Sequence, residues 1–281
     1  WCWLVVHPEF QWFWGPPTRK LCGRGFLNNQ FFCRQTSVKG NPKTMNELRE
    51  PKFAEEGGSD YEVYIRTDEL LALQPEPDTW KHRDELLFTV VHQSSELWLK
   101  LAVAEIDHAL IKISQEKIQA ACRYLVRARD CIHYTTSQLP MLEKMTPWDY
   151  QHVRTALGHG SGFDSPGFRK LRISLKNLVE SVRGALAGAN LTLEELYLSV
   201  EENEALYALA ELLVDLDEEL MIWRSVHVKV IERTIGGTVS GTQGTPVEVV
   251  RNLRDRSIMD ELWEVRVDLT GRADRELASD E

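Results

Sequence analysis

Residues 211–234 read ELLVDLDEELMIWRSVHVKVIERT, and this stretch decides the fold class. Its apolar positions recur every three or four residues, so they fall on one face of an α-helix. That face holds Leu213, Leu216, Leu220, Trp223, His227, Val230 and Thr234. The opposite face holds Asp215, Glu218, Glu219, Lys229, Glu232 and Arg233. The pattern predicts a long amphipathic helix from about residue 203 to 235, ended by Gly236 and Gly237.

Helical patterns also dominate the chain before this stretch. Amphipathic runs cover residues 83–115 and 117–142, and a short helix is expected at 68–71. Two helix starts, at Thr146 and Thr192, consist of a threonine cap followed three residues later by an acid. A Gly- and Ser-rich break occupies residues 158–167. Strand patterns are scarce, so we predict an all-α helical bundle.

The first part of the chain differs in composition from the rest. Four of the nine tryptophans fall in the first 14 positions, and residues 1–50 carry more basic than acidic side chains. No apolar period is visible there, and Gly15-Pro16-Pro17 interrupts any regular element. We therefore predict an irregular or disordered extension at 1–55, followed by one helical domain at 56–281.

The composition excludes several classes of protein. The 281-residue chain has a formal net charge of −10, which would repel the phosphates of a nucleic acid. No run of about 18 uncharged apolar residues occurs, so a membrane-spanning helix is not expected. The five cysteines form no CxxC pair, which fits a reducing compartment. A cytoplasmic location is expected, with neither a nucleic-acid nor a membrane partner.

His227 is the most informative residue of the long helix, because it puts an imidazole in the middle of an apolar ridge. A buried structural histidine that donates one N–H to a carbonyl is one interpretation. The alternative is an iron ligand, since neutral imidazole commonly binds iron in proteins. No HxxxH or HExxH spacing surrounds His227. A haem therefore needs fewer protein groups here than a non-haem site, which would require two histidines and a carboxylate.

A second histidine, His92, shares a face of the 83–115 run with Phe88, Val91, Ser95 and Leu99. Two long helices that each present one imidazole can place one on either side of a flat cofactor. That arrangement gives either bis-histidine electron transfer or a five-coordinate iron with a polar distal group. A histidine hydrogen-bonded inside the bundle remains the alternative.

Two further features suit a small ligand. Tyr150 and Arg154 stand four residues apart and project from one side of a helix, where the guanidinium and the ring can hold a carboxylate. A surface arginine lying on a tyrosine is the alternative. The Gly-, Ser- and Thr-rich residues 236–245 lack the GK[ST] ending of a phosphate loop. They form either a flexible linker or a lid over the ligand.

Four separated segments resemble the tryptophan 2,3-dioxygenase superfamily of haem-dependent aromatic oxygenases, in the same order and over roughly residues 60–250. Residues 61–71 are similar to its substrate-contacting N-terminal helix, and FTVVHQSSELW at 88–98 is similar to its distal-side signature. TPWDY at 146–150, with Arg154 and GSGF at 160–163, resembles the segment that holds the substrate carboxylate. Residues 223–242 resemble the proximal helix and its lid.

The resemblance implies roles for individual residues. His227 would be the proximal ligand of a non-covalent haem b, with Trp223 and Ser161 also close to the haem. His92 would hydrogen-bond the indole N–H of the substrate, Arg154 would clamp its carboxylate, and Thr242 would lie on the ammonium or carboxylate side. Phe88 and Tyr150 would wall the pocket, and Tyr61, Tyr64 and Ile65 would reach it from a neighbouring subunit of a homotetramer.

The implied reaction inserts both atoms of O2 across the indole C2–C3 bond of tryptophan and gives N-formylkynurenine. The chain departs from the superfamily pattern in three places. The stretch between Ser161 and His227 is shorter, and both Gln243 and Glu62 stand where the family has a glycine. A monooxygenase that adds one oxygen atom to a substituted tryptophan or tyrosine in natural-product biosynthesis is therefore an alternative. A non-enzymatic haem sensor is another, and it would need neither Arg154 nor the lid.

Overall fold

The computed structural model describes residues 58–279, which form α-helices joined by short loops. Within this range the α-helices are α1 (Asp60–Ile65), α2 (Thr67–Leu71), α3 (Glu85–Ser114), α4 (Ile118–Gln138), α5 (Pro147–Leu157), α6 (Pro166–Gly188), α7 (Leu193–Leu198), α8 (Glu204–Thr234), α9 (Val247–Asn252) and α10 (Glu261–Ser279). The predicted all-α fold is confirmed. None of these helices is long and apolar enough to cross a membrane. The extension predicted at 1–55 lies outside the described residues.

The main core lies between the four long helices α3, α4, α6 and α8. Each of them contributes leucines without exposed surface, among them Leu99, Leu125, Leu178 and Leu213. Fully buried alanines on α3 and α4 allow these two helices to approach each other closely. Truncating one buried leucine to alanine leaves a cavity and costs about 2–5 kcal/mol of stability. Burial of these side chains, more than helix propensity, stabilises the bundle.

The two predicted helix starts are confirmed at α5 and α7. The Thr146 side chain accepts a hydrogen bond from the Asp149 N–H at 3.2 Å, and Thr192 forms a reciprocal capping box with Glu195. The run predicted at 117–142 is divided in the structure. α4 ends at Gln138 and a 3₁₀ turn, Leu139–Lys144, follows, because Pro140 has no N–H to continue the helix.

Two long helices, α6 and α10, were not expected from the sequence. α6 begins directly after the Gly- and Ser-rich break, where the Ser165 side chain accepts from the Phe168 N–H at 3.1 Å. The helix predicted at 203–235 is confirmed as α8, Glu204–Thr234, but the later helix α10 was not anticipated. Only Leu262 and Val265 of α10 are buried, so α10 carries too few apolar positions to be conspicuous in the sequence.

α10 and the loop before it are fastened to α8 through a buried carboxylate. Asp217 of α8 is 1% exposed and accepts hydrogen bonds from the Trp263 indole N–H at 2.8 Å and from the Ile258 N–H at 3.0 Å. Burial raises the pKa of Asp217, although both donors oppose that shift. Two hydrogen bonds to one carboxylate thus supplement the narrow apolar face of α10, which places Leu262 in the main core.

Candidate functional site

A second, smaller apolar cluster lies where α3, α5 and α8 meet the 3₁₀ turn Leu139–Lys144. We call it the site cluster, and its buried members are Val91, Leu139, Leu142, Met145, Val153 and Val230. Phe88, Tyr150 and Trp223 pack against it while part of their own surface stays exposed. The cluster thus gathers one aromatic side chain from each of the three helices, and all three were candidate site residues.

His92 lies beside this cluster on α3, with its ring stacked on Phe88 at 4.0 Å. The residue is exposed, which corrects the prediction that it continues a buried stripe. Its Nδ1 lies 2.7 Å from the Phe88 carbonyl oxygen, and since a carbonyl only accepts, Nδ1 carries the proton and donates. Nε2 is consequently left as an acceptor. Desolvation by the surrounding protein lowers the pKa of His92, and the hydrogen bond to the Phe88 carbonyl and the charge of Glu96 partly offset this shift.

His227 projects from α8 next to Trp223, with the two rings stacked at 4.8 Å. Burial lowers the pKa of His227 to about 4, so its imidazole is neutral at neutral pH. Within residues 58–279 neither ring nitrogen of His227 makes a hydrogen bond. The carbonyl partner that a structural histidine would have is therefore absent from this part of the chain.

The two imidazoles lie near each other. His92 is close enough to His227 that a positive charge on His92 lowers the pKa of His227 further. The residues present fit a haem, because a neutral imidazole nitrogen without a partner is free to bind iron. The aromatic rings of Phe88 and Trp223 supply flat apolar surface beside the two histidines.

Tyr150 and Arg154 project from the same side of α5, as their spacing predicts. The Tyr150 ring lies 6.3 Å from Phe88, and its burial raises the pKa of the phenol, against the opposing charge of Arg154. One guanidinium N–H of Arg154 donates to the Ser240 carbonyl at 3.1 Å. Arg154 is half-buried, so its charge is placed between the aromatic wall and the segment predicted as a lid.

That segment, residues 236–245, is fastened to the loop after α5. Thr242 donates through its hydroxyl to the Gly160 carbonyl. The Gln243 side-chain amide donates to the His159 carbonyl at 3.2 Å and to the Asp164 carboxylate at 2.7 Å. Of the two alternatives from the sequence, these bonds favour a lid over a free linker.

Ser161 lies in the loop that the lid covers. Its side chain accepts from the Phe163 N–H at 3.3 Å, and its own N–H donates to Asp164 at 3.1 Å in a capping box. Arg154 and Thr242 border an open recess of about 410 Å³ in the same region, together with Gln151, Thr155, Gly158 and His159. Gln151 and His159 were not singled out from the sequence, since neither belongs to an apolar stripe or a recognisable motif.

Tyr61, Tyr64 and Ile65 are not brought to this site by their own chain. They lie on α1, which has no buried residue, and are 60%, 86% and 42% exposed. Exposed aromatic and aliphatic surface of this kind is available for contact with another subunit. Their predicted role across a subunit boundary stays a prediction.

Sequence reasoning gave no separate role to Glu96, one turn after His92 on α3. Its carboxylate accepts from the Ser165 hydroxyl and from the Gly167 N–H at 2.9 Å, which fastens α3 to the first turn of α6. A Cβ at Gly167 would lie 2.6 Å from the Glu96 carboxylate and 2.9 Å from Leu99, so only glycine fits there. Gly167, directly after Pro166, was the available signal for this contact.

Comparison with known proteins agrees with the residues gathered here. The family described as Tryptophan 2,3-dioxygenase matches residues 48–183. The tryptophan 2,3-dioxygenase of Bordetella pertussis is 30% identical, over 74% of this chain and 90% of the relative. Those of Bacillus anthracis and Shewanella woodyi are 29% and 28% identical, over 74% and 82% of this chain and 92% and 97% of the relatives.

The alignments also show that this chain is shorter than its relatives over the aligned region. The 259 aligned positions of the Bacillus anthracis protein outnumber the residues in 74% of a 281-residue chain. That relative therefore contains segments without a counterpart here, in agreement with the shortened stretch noted in the sequence.

Proposed function

The chain belongs to the tryptophan 2,3-dioxygenase family, and we propose that it is a haem-dependent oxygenase of L-tryptophan or a close derivative. In the proposed reaction both atoms of O2 are added across the indole C2–C3 bond, which opens the ring to N-formylkynurenine. One observation carries this proposal: two neighbouring histidines lie beside the site cluster. His92 has Nε2 left as an acceptor, and His227 has no hydrogen-bond partner in the described region. The imidazole of His227 keeps part of its surface exposed, and a haem would take its unpartnered ring nitrogen as a ligand.

His227 would hold the haem iron through a ring nitrogen. Its pKa of about 4 keeps that nitrogen deprotonated at neutral pH, and the stacked Trp223 fixes the orientation of the ring. When bound, the haem would supply the binding and activation of O2. Cys122 and Cys131, the free cysteines of the described region, belong to the main core and not to the site cluster, which supports a non-covalent haem b.

The side chains of this protein would orient the substrate and exclude water. His92 Nε2 would accept the indole N–H, because Nδ1 is already committed to the Phe88 carbonyl. Arg154 would pair with the substrate carboxylate, with Thr242 on the ammonium or carboxylate side and Ser161 near the haem edge. Phe88 and Tyr150 would form the wall against the indole ring, so that reactants are held in a productive orientation.

The proposal extends to assembly and location. Tyr61, Tyr64 and Ile65 would complete the pocket of a neighbouring subunit in a homotetramer, which their exposure in the single chain supports. A cytoplasmic location is part of the proposal on the basis of cysteine usage.

A second candidate function has its own supporting observation. The missing segments and Gln243 in the lid alter the surroundings of the proposed pocket while the histidines and Arg154 remain. A monooxygenase of a substituted tryptophan or tyrosine, with a hydroxylated or 2-oxindole product, would fit such a change. Turnover under 18O2 separates the two candidates: mass spectrometry finds two labelled atoms in the product of the dioxygenase and one in that of the monooxygenase.

Substrate binding tests the proposal against a haem sensor. L-Tryptophan should perturb the haem absorbance of the wild type, and Arg154→Ala should weaken that binding by about 2–4 kcal/mol, or roughly 30- to 1,000-fold. Arg169→Ala on the exposed side of α6 is the matched control and should bind as the wild type does. A protein that purifies without a haem band would refute the oxygenase. A haem protein that binds no aromatic amino acid would favour the sensor.

A further inference from the structure

Outside the site cluster, an imidazole and two carboxylates converge where α3 and α5 begin. His82 Nε2 lies 3.5 Å from Asp149 Oδ1, and His82 Nδ1 lies 3.9 Å from Asp84 Oδ2. One ligand atom from each of the three residues lies within 4.8 Å of the other two. The side chains are 23%, 18% and 32% exposed for His82, Asp84 and Asp149. We infer that these three residues bind a divalent transition-metal ion of the zinc type.

Asp84 supports this inference because it stands at the N-cap of α3 without capping the helix. Its side chain accepts no hydrogen bond from the first helical N–H groups, an unusual use of aspartate at this position. Glu85 instead accepts from the N–H groups of Lys81 and His82, at 2.6 and 2.9 Å. The Asp84 carboxylate is therefore turned toward His82, where it remains available as a ligand.

The charge of the cluster also favours a cation. Among the described residues, Arg83 is the only lysine or arginine within 4.0 Å of either carboxylate, and it reaches Asp84 Oδ1 at 3.4 Å with a side chain that is 85% exposed. Asp149 has no lysine or arginine partner in this part of the chain. Two partly buried carboxylates thus face one imidazole with a single, solvent-screened positive charge nearby.

The hydrogen bond to His82 fixes the tautomer of its ring in the metal-free protein. Nδ1 accepts from the Asp84 N–H at 3.2 Å, so in the metal-free protein Nε2 carries the proton and points toward Asp149. A metal ion would bind one ring nitrogen of His82 and take one oxygen from each carboxylate. One nitrogen and two oxygens suit zinc, which accepts imidazole and carboxylate at about 2.0–2.2 Å. Water would complete the shell.

The position of the cluster gives the ion a structural effect. Asp149 directly precedes Tyr150 in the first turn of α5, and Asp84 directly precedes α3, which carries Phe88 and His92. A bound ion would tie the starts of these two helices together. This inference does not depend on the proposed oxygenase activity, because it concerns residues outside the site cluster.

Equilibrium dialysis of the purified protein, first treated with a chelator, against Zn2+ tests the site. The wild type should bind a zinc ion that His82→Gln and Asp149→Asn weaken at least about tenfold. His133→Gln is the matched control, since His133 Nδ1 lies 3.3 Å from the single carboxylate of Glu219. Its affinity for zinc should be unchanged. Absence of this binding from the wild type, or its survival in both cluster variants, would overturn the inference.

A measurement on the wild type alone avoids any folding defect of the variants. Diethyl pyrocarbonate modifies accessible imidazoles, and peptide mass spectrometry locates the modified residues. Zinc should protect His82 while leaving His133 reactive. Equal protection of both histidines, or of neither, would refute a specific site at His82.

Discussion

The main core and the site cluster share helix α8, but they are built differently. In the first half of α8, Leu209, Leu213 and Leu216 have no exposed surface and lie inside the main core. In the second half, Trp223 and His227 keep part of their surface exposed, and His227 makes no hydrogen bond in the described region. The first half of α8 thus stabilises the fold, and its second half presents the imidazole of His227.

The comparison also shows where loss of stability and loss of function should separate. Side chains of the main core are completely surrounded, so their removal leaves cavities. The site cluster is smaller, and the aromatic side chains packed against it keep part of their surface exposed, so changes there should cost less stability and more function. The four predictions below test this division in order of decreasing effect.

The largest effect is expected at His227, where His227→Ala should abolish haem binding. The folding of the protein should survive, because the imidazole contributes no hydrogen bond to the described structure. Absorbance of the haem band measures the first result and far-UV circular dichroism the second. His133→Ala, which removes a surface imidazole, should retain the haem. A His227→Ala protein that keeps its full haem complement would contradict the assignment of the iron ligand.

The next effect distinguishes the two regions by stability. Leu213→Ala in the main core should lower the free energy of unfolding by about 2–5 kcal/mol. Val230→Ala in the site cluster removes two carbon atoms where Leu213→Ala removes three, and should cost clearly less, while Leu198→Ala, at a position 52% exposed, should change little. Urea unfolding of the haem-free proteins measures all three. If Val230→Ala were as damaging as Leu213→Ala, the proposed division of α8 would fail.

The pH dependence of stability should show the burial of His227. Its pKa falls from 6.5 in the unfolded chain to about 4 in the folded protein, so the unfolded chain takes up more protons between these values. The contribution of His227 is therefore fully present above pH 6.5 and is lost as the pH falls toward 4.

The size of this effect is at most about 3 kcal/mol, and less because water reaches part of the ring. Urea unfolding of the haem-free wild type and of His227→Gln at pH 7 and pH 5 measures it. The difference in stability between wild type and variant should shrink at the lower pH. A difference that grows on acidification would mean that His227 is protonated in the folded state.

The smallest effect is expected in the lid. Gln243→Glu keeps the shape of the side chain but turns a carboxylate toward the His159 carbonyl and Asp164, which should loosen the lid by about 1–2 kcal/mol. Amide hydrogen exchange at Gly241 and Gly244 should accelerate, while exchange in the main core stays unchanged. Thr238→Ala, at an exposed position of the same loop, is the control. Unchanged exchange at both glycines in Gln243→Glu would show that this amide does not hold the lid.

Much of the fold depends on local patterns, and those parts were predicted. The apolar ridges of α3 and α8 and the threonine caps at Thr146 and Thr192 depend on residues at most a few turns apart. α10 was missed because its attachment depends on Trp263 and Asp217, which are 46 positions apart. No periodicity within α10 reveals a hydrogen bond to a distant carboxylate.

The candidate site shows the same limit. The motifs identified His92, Arg154 and Thr242 as candidates, but not their partners in the fold. The commitment of His92 Nδ1 to Phe88 depends on the rotamer of one side chain. The bond between Gln243 and Asp164 joins residues 79 positions apart. Such features follow from tertiary structure, and the sequence alone could state only which residue types were available.

The buried Asp217 also constrains the order in which the protein can fold during its synthesis. Its carboxylate lies on α8 before His227, and its donors, Ile258 and Trp263, are translated after the whole helix has been made. A nascent chain that ends between α8 and Ile258 lacks both donors, so its Asp217 carboxylate has to keep its contact with water, because burying it unpaired is costly. We therefore expect α8 to reach its final packing only once Trp263 has emerged, so that binding of the proposed haem by His227 would be a late step in the assembly of the molecule.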